Sequence, residues 1–234
     1  MNVRNWLSAL ALTAGAAAFC SSASAQVTGN VTLDGKAPEM PVIDMSGVPQ
    51  CASQHAGQTV TEQTVVVGKD NGLANVVVSI TIPDGVTAPD VEKKSATLDQ
   101  KGCMYSPHVV AIQKGEKLYI QNSDPFLHNV HSQSENAPFN FAQPMIGKKA
   151  APALKDAEYF HVKCDVHPWM SAWIAVLDNG YFAVTKDDGT FEIPKGLPDG
   201  DYKVTAWQEK YDKQDGTVTV KDGKGTVDFK FKAE

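Results

Sequence analysis

The sequence predicts an all-β protein arranged as two sandwiches, from two observations. Apolar and polar residues alternate over short runs, as in Phe191/Ile193, Tyr202/Val204/Ala206, Val218/Val220 and Val227/Phe229/Phe231. A period of two buries one face of a strand. Turn signals separate the runs at close intervals: Asp34-Gly35, Asp70-Asn71-Gly72, Pro83-Asp84-Gly85, Asp187-Asp188-Gly189, Pro198-Asp199-Gly200, Asp215-Gly216 and Asp222-Gly223. Short strands with regular turns are the pattern of a sandwich.

In chain order, residues 1–25 read as a secretory signal. Arg4 gives the positive start, Trp6 to Phe19 the apolar core, and Ala23-Ser24-Ala25 the small-residue cleavage site. The apolar run is too short for an anchor and no other run approaches the length of a membrane span. Export places the mature chain, residues 26–234, in an oxidising compartment, expected to be a bacterial periplasm. That length suits two small β-domains or one large one. The net charge of −6 becomes more negative once Arg4 leaves. An acidic chain is a poor nucleic-acid binder.

Val27 to Leu33 alternates as a strand and stops at Asp34-Gly35. Residues 36–51 form a loop carrying Pro38, Pro41 and Pro49. Thr59 to Val67 is β-branched and is expected to be a strand. Val76 to Ile82 is the most continuous β-branched run and reads as a buried strand. Residues 84–96 are polar and irregular, with room for one short helical turn. Val109 to Ile112 and Lys117 to Gln121 flank Lys114-Gly115-Glu116 as a hairpin would. Asn122-Ser123-Asp124-Pro125 breaks the strand before His128, and residues 132–158 carry few strand signals. Phe160, Val162 and Cys164 share one strand face, inward, while His161 and Lys163 point the other way. Trp173 to Leu177 is the last strand of this domain, and the remainder is the alternating meander.

The chemistry concentrates in Cys164-Asp165-Val166-His167-Pro168-Trp169-Met170, which puts a thiolate, an imidazole and a thioether on one short loop. His128-Asn129-Val130-His131 upstream offers a second imidazole. One thiolate, two imidazoles and a weak thioether are the ligands of an electron-transfer copper site: thiolate suits Cu(I), imidazole suits both oxidation states, and a long bond to Met tunes the potential. Zinc is the rival, but it prefers four strong ligands, and Met is not one. Met104 and Met145 could replace Met170 as the thioether, but the spacing favours Met170, which is already on the ligand loop. His131 lies three residues from His128, and His161 three from Cys164, so each falls on the opposite strand face. His55 and His108 are candidates for a second, weaker site. Trp169 and Trp173 read as packing residues, with Trp169 also suited to the edge of His167.

His128-Asn129 followed by C-D-V-H-P-W-M resembles the ligand pattern of the cupredoxins, the blue copper proteins of amicyanin and plastocyanin type, over roughly residues 100–178. The resemblance implies a Greek-key β-sandwich holding one type 1 copper through His128, Cys164, His167 and Met170. It also implies that Asn129 braces the loop and donates a hydrogen bond to the Cys164 sulfur. With Cys164 taken by copper and Cys20 lost with the signal, Cys51 and Cys103 are left to form a disulfide. A bridge closing a loop of about 50 residues contributes roughly 4 kcal/mol in the chain-entropy model.

The string V-T-K-D-D-G-T-F-E-I-P-K-G-L-P-D-G-D-Y-K-V-T-A-W resembles the second half of carboxypeptidase-regulatory-like, transthyretin-like sandwiches, and Gly29 to Pro38 with Ala74 to Val78 resembles their first half. The expected organisation is a signal over 1–25, an N-terminal β-segment over 26–95 shared with the C-terminal sandwich, a cupredoxin domain over 96–178, and a carboxypeptidase-regulatory-like domain over 179–234. Strands within 59–82 remain open to either sandwich. The expected function is a periplasmic carrier of single electrons, not an enzyme, exchanging with a cytochrome or a copper or quinoprotein enzyme. A copper-trafficking or sensing protein, and a binding module with a structural metal, remain the alternatives. A copper enzyme needs a further histidine set, typically H-x-H pairs, and the sequence has none.

Overall fold

The computed structural model describes residues 27–233; the expected signal, residues 1–25, lies outside the described residues. The protein is all-β. The strands are β1 (Val27–Asp34), β2 (Val77–Thr81), β3 (Ala96–Lys101), β4 (Met104–Ser106), β5 (Val109–Gln113), β6 (Leu118–Asn122), β7 (His128–Ser132), β8 (Asn140–Gln143) and β9 (Gly147–Ala150). They continue with β10 (Glu158–Lys163), β11 (Ser171–Leu177), β12 (Phe182–Val184), β13 (Thr190–Ile193), β14 (Gly200–Gln208), β15 (Asp212–Val220), β16 (Gly225–Thr226) and β17 (Phe229–Lys232). One short helix, α1 (Pro49–Gln54), lies between β1 and β2.

Two sheets enclose the first core. β13, β16 and β17 all pair with β1, and the facing sheet runs β12-β2-β14-β15. Val31, Leu33, Phe191 and Phe231 from one sheet meet Val78, Ile80, Val204 and Val220 from the other. The alternation read from the sequence is the inward face of these strands. β2 is apolar on both faces because both are covered: Val78 and Ile80 enter this core, while Val77 packs with Trp207, Val109 and Ala175 on the far side. At the β12–β13 turn Gly189 has φ +78°, and a Cβ there would stand 2.2 Å from the Val31 carbonyl oxygen, so the turn admits no side chain.

The second core lies between the sheets β4-β3-β6-β9 and β5-β11-β10-β7-β8. Leu98, Ile112, Ile120, Val162 and Ile174 are fully buried there, with Cys164 and Met170 at one end.

Three expectations of local structure are corrected. Thr59 to Val67 forms no strand, only the isolated bridges Val42 with Thr61 and Val67 with Leu73. Its neighbour is the segment carrying Pro38, Pro41 and Pro49, and proline offers no N–H for a ladder. β5 and β6 are not a hairpin. They enter opposite sheets, β5 parallel to β11 and β6 parallel to β3, so Ile112 and Leu118 approach one core from two sides. The loop 132–158 contains two strands, β8 and β9. β9 is exposed throughout and is held by its pairing with β6, where Lys148 lies over the Tyr119 ring at 4.4 Å. In residues 36–51 the chain also makes α1, with Pro49 in its first turn, where a missing N–H costs nothing.

Cys51 of α1 is bonded to Cys103 in the β3–β4 turn, with a Cα–Cα distance of 5.6 Å and both residues buried. Among the described residues no helix is long and apolar enough to cross a membrane. Because the bridge spans 52 residues, replacing both cysteines by Ala is expected to lower unfolding free energy by about 4 kcal/mol. Urea unfolding of the bridge-free variant beside the parent measures it, and an unchanged midpoint would assign the bridge no stabilising role.

Candidate metal centre

Strand parity delivers the groups to one place. β10 carries Phe160 and Val162 inward, and the next inward residue is Cys164, buried at 2% exposure. Residues 164–170 then turn back into β11. Met170 N–H donates to the His167 carbonyl at 3.0 Å and Cys164 N–H to the Met170 carbonyl at 3.3 Å. His167 N–H donates to Cys164 Sγ at 3.3 Å. These bonds fold the loop so that His167 turns inward under 4% exposure. β7 opens with His128, fully buried, on the neighbouring strand.

His128 Nδ1 and His167 Nδ1 face each other at 3.0 Å, and Cys164 Sγ lies 3.9 Å from the same His167 nitrogen. Two nitrogens and a thiolate held tetrahedrally by one ion stand about 3.3 and 3.6 Å apart, from ordinary metal–ligand lengths. The donor set therefore fits a soft or borderline cation with little movement. Met170 is fully buried in the same apolar cluster as Cys164.

Electrostatics prepare the two rings. His128 Nε2 contacts Asp124 Oδ2 at 2.8 Å, which leaves Nδ1 facing the cluster. Asp124 is itself buried and accepts from the N–H groups of Gly102 at 3.0 Å and Cys103 at 2.9 Å. Burial, the largest single influence, pushes the Asp124 carboxyl upward, but the bonds from Cys103, His128 and Gly102 together hold it below its ordinary value. Burial, followed by the neighbouring His128, lowers His167 against the opposing pull of Asp124. A neutral ring keeps its lone pair for a metal.

Asn129 Oδ1 accepts from Asp165 N–H at 2.5 Å, tying the loop to β7. Its amide nitrogen goes to Asn140 Oδ1 at 2.6 Å and Asp165 Oδ2 at 3.4 Å. The donor seen at the Cys164 sulfur is the His167 backbone, not Asn129. Tyr105, its hydroxyl kept protonated chiefly by burial, donates to the Asn129 carbonyl at 2.6 Å.

The other histidines are committed elsewhere. His131 pairs with Asp165 at 3.0 Å in a half-exposed position. His161 Nε2 meets Ser171 Oγ at 2.8 Å. His55 Nε2 contacts the Gly102 carbonyl at 2.6 Å, and His108 lies between the Ser171 carbonyl and Glu209. Among the described residues, no metal-ligating group joins His55 to His108. Met145 is exposed, and Met104 packs with Met45, Cys51 and Cys103.

Sequence reasoning missed two features. In the sequence Asp124 belongs to a strand-breaking tetrapeptide, and its spacing of four before His128 is the one signal that points to a partner. The second is the cover: Met45, Cys51 and Cys103 cluster with Ile43, Val48, Val60, Phe126 and Trp169 over the histidines. The two disulfide sulfurs and a His167 ring nitrogen lie within 4.8 Å of one another. Trp169 stands 5.4 Å from the His167 ring and donates from Nε1 to the Cys103 carbonyl at 2.9 Å.

No family model matches the sequence, and no curated protein matches it. Among solved structures, a purple cupredoxin from Nitrosopumilus maritimus is 20% identical over 35% of this chain and 99% of its own, with a TM-score of 0.31. Amicyanin from Paracoccus versutus is 22% identical over 43% of this chain and 97% of its own, with a TM-score of 0.32. A copper-containing nitrite reductase from Thermus scotoductus is 21% identical over 41% of this chain and 25% of its own, with a TM-score of 0.32. At these values none of the three assigns an activity to this chain.

The metal-free protein is expected to lose stability in two steps on acidification. The folded His167 resists a proton that the unfolded ring accepts, so the first loss begins as pH falls below about 6.5. Asp124 is depressed in the folded state, so its contribution is present above about 3.9 and is lost as pH falls through its folded value. Other lowered carboxyls, Glu158 and Asp165 among them, share this limb, so Asp124→Asn should shrink the second step rather than abolish it and cost about 1–3 kcal/mol at neutral pH. Urea unfolding across this pH range checks both; an acid limb identical in the variant would remove Asp124 from the account.

Proposed function

We propose that this protein is a type 1 copper protein of cupredoxin kind that carries single electrons between redox proteins, with His128, Cys164, His167 and Met170 as ligands. The observation that carries this reading is the convergence of two imidazole Nδ1 atoms and one thiol in a space closed to solvent. Copper supplies the exchange of one electron between Cu(I) and Cu(II) at such a donor set. Cys164 provides the soft anionic donor, and its sulfur is fixed by the His167 N–H. His128 is oriented by Asp124. Asn129 holds the loop through Asp165 N–H, so the donors keep their places whichever charge the site bears. The apolar cover excludes water. A closed site with fixed donors suits electron transfer more than substrate turnover, which needs an open position.

In this reading residues 96–178 are the copper-bearing domain, and 26–95 with 179–234 make a carboxypeptidase-regulatory-like sandwich. The protein acts in the periplasm after export, and its acidic charge suits a basic redox partner such as a cytochrome or a copper or quinoprotein enzyme.

Residues 26–234 loaded with Cu(II) are expected to show an intense thiolate-to-copper band in the visible spectrum, and Cys164→Ser is expected to abolish it. A colourless wild-type protein that binds zinc in preference would end the electron-carrier reading.

A further inference from the structure

We propose that Glu209 is a positioning residue through which the β1-containing sandwich sets the far end of the 164–170 loop. Glu209 follows β14 and belongs to the sandwich that does not contain the loop. Its carboxylate reaches across the seam to two donors on the other sandwich: His108 Nε2, in a short contact with Oε1, and Trp173 Nε1, 2.8 Å from Oε2. Both Glu209 and His108 are largely buried. A carboxylate in such a place is costly unless its oxygens are paired, so the two bonds fix its position closely.

The tie continues to the loop. His108 Nδ1 lies 3.1 Å from the Ser171 carbonyl oxygen, and Trp173 N–H donates to the His108 carbonyl at 2.8 Å. Both ring nitrogens face oxygen atoms, so the ring is held from two sides. Ser171 is held again through its hydroxyl by His161 Nε2. Ser171 directly follows Met170, whose own N–H and carbonyl close the loop onto His167 and Cys164. Trp207 of β14 packs against Trp173 at 5.1 Å and Tyr159 at 4.8 Å, which keeps Glu209 in register with its donors. The loop is thus pinned at Asp165 by Asn129 and at Ser171 by His108, which Glu209 of the other sandwich holds in place. The effect on copper rests on the reading of Met170 as a ligand; the effect on the backbone does not.

Two variants separate position from mere stability. Glu209→Ala leaves both donors unpaired. Glu209→Gln keeps an oxygen that can accept from Trp173 and a second polar atom facing His108, so it should restore most of the tie. Hydrogen–deuterium exchange on the full metal-free chain is the first readout. In Glu209→Ala the amides of residues 170–173 should exchange about tenfold faster or more, as expected for losing a charged hydrogen bond. Glu209→Gln should stay near wild type. Val220→Ala, a core change in the same sandwich, should leave those amides unchanged. If Glu209→Ala does not fold, Trp173→Phe, which removes one donor and keeps a ring, should show a smaller acceleration at the same amides. Exchange at 170–173 equal to wild type in the folded variant, or an equal rise in Val220→Ala, would overturn the proposal. In copper-loaded protein the visible band ratio and reduction potential should move in Glu209→Ala and not in Val220→Ala. A wild-type protein without a copper band would defeat the copper reading alone, because the exchange data decide the positioning role separately.

Discussion

Asp124 accepts hydrogen bonds from the backbone of the β3–β4 turn and contacts the ring of His128, all inside a site nearly closed to water. A carboxylate at such depth persists only if donors surround it, and each donor it satisfies is thereby fixed. Cys103, one of the donors, is bonded to Cys51 and so brings α1 over the site. The Cys103 carbonyl in turn receives Trp169 from the cysteine loop. Asn122 supports the arrangement by accepting from Asp124 N–H and donating to the Phe126 and Gln143 carbonyls. The N-terminal cover, the β3–β4 turn, β7 and the cysteine loop are separate in sequence and meet around one anion. Without it three buried donors would be orphaned, each at about 1–3 kcal/mol.

The cover changes what the surface of the site offers. His128 and His167 are both buried, and the disulfide and Trp169 stand between His167 and solvent. Trp169 and Phe126, both half-buried, are in ring contact with His167 and His128.

The all-β class was legible because alternation reports burial directly: Tyr202, Val204 and Ala206 face the core as their spacing requires. The inward course of Phe160, Val162 and Cys164 follows from the same parity. What stayed hidden depends on distant partners. Thr59 to Val67 has the composition of a strand and lacks only a neighbour able to pair with it. The Gly115 turn is local, but the separation of β5 from β6 is decided by the two sheets they join. Asp124 and Glu209 are acidic residues next to turns, a setting that ordinarily means solvent. Only the fold brings Cys103 N–H to one and His108 to the other.

β2 and β12 lie side by side, with Ser79 opposite Phe182, and between them the chain builds the entire sandwich that contains Cys164. The outer sandwich therefore grips both ends of its guest on adjacent strands. If residues 82–181 unfolded alone, β2 and β12 would be joined by a floppy loop on the order of 100 residues, whose closure costs about 4 kcal/mol of chain entropy. The folded guest spares its host that cost by keeping its own ends together. Melting of the two halves is thereby linked through topology as well as through contacts at the seam, and a ligand that tightens the guest raises the cohesion of the whole chain.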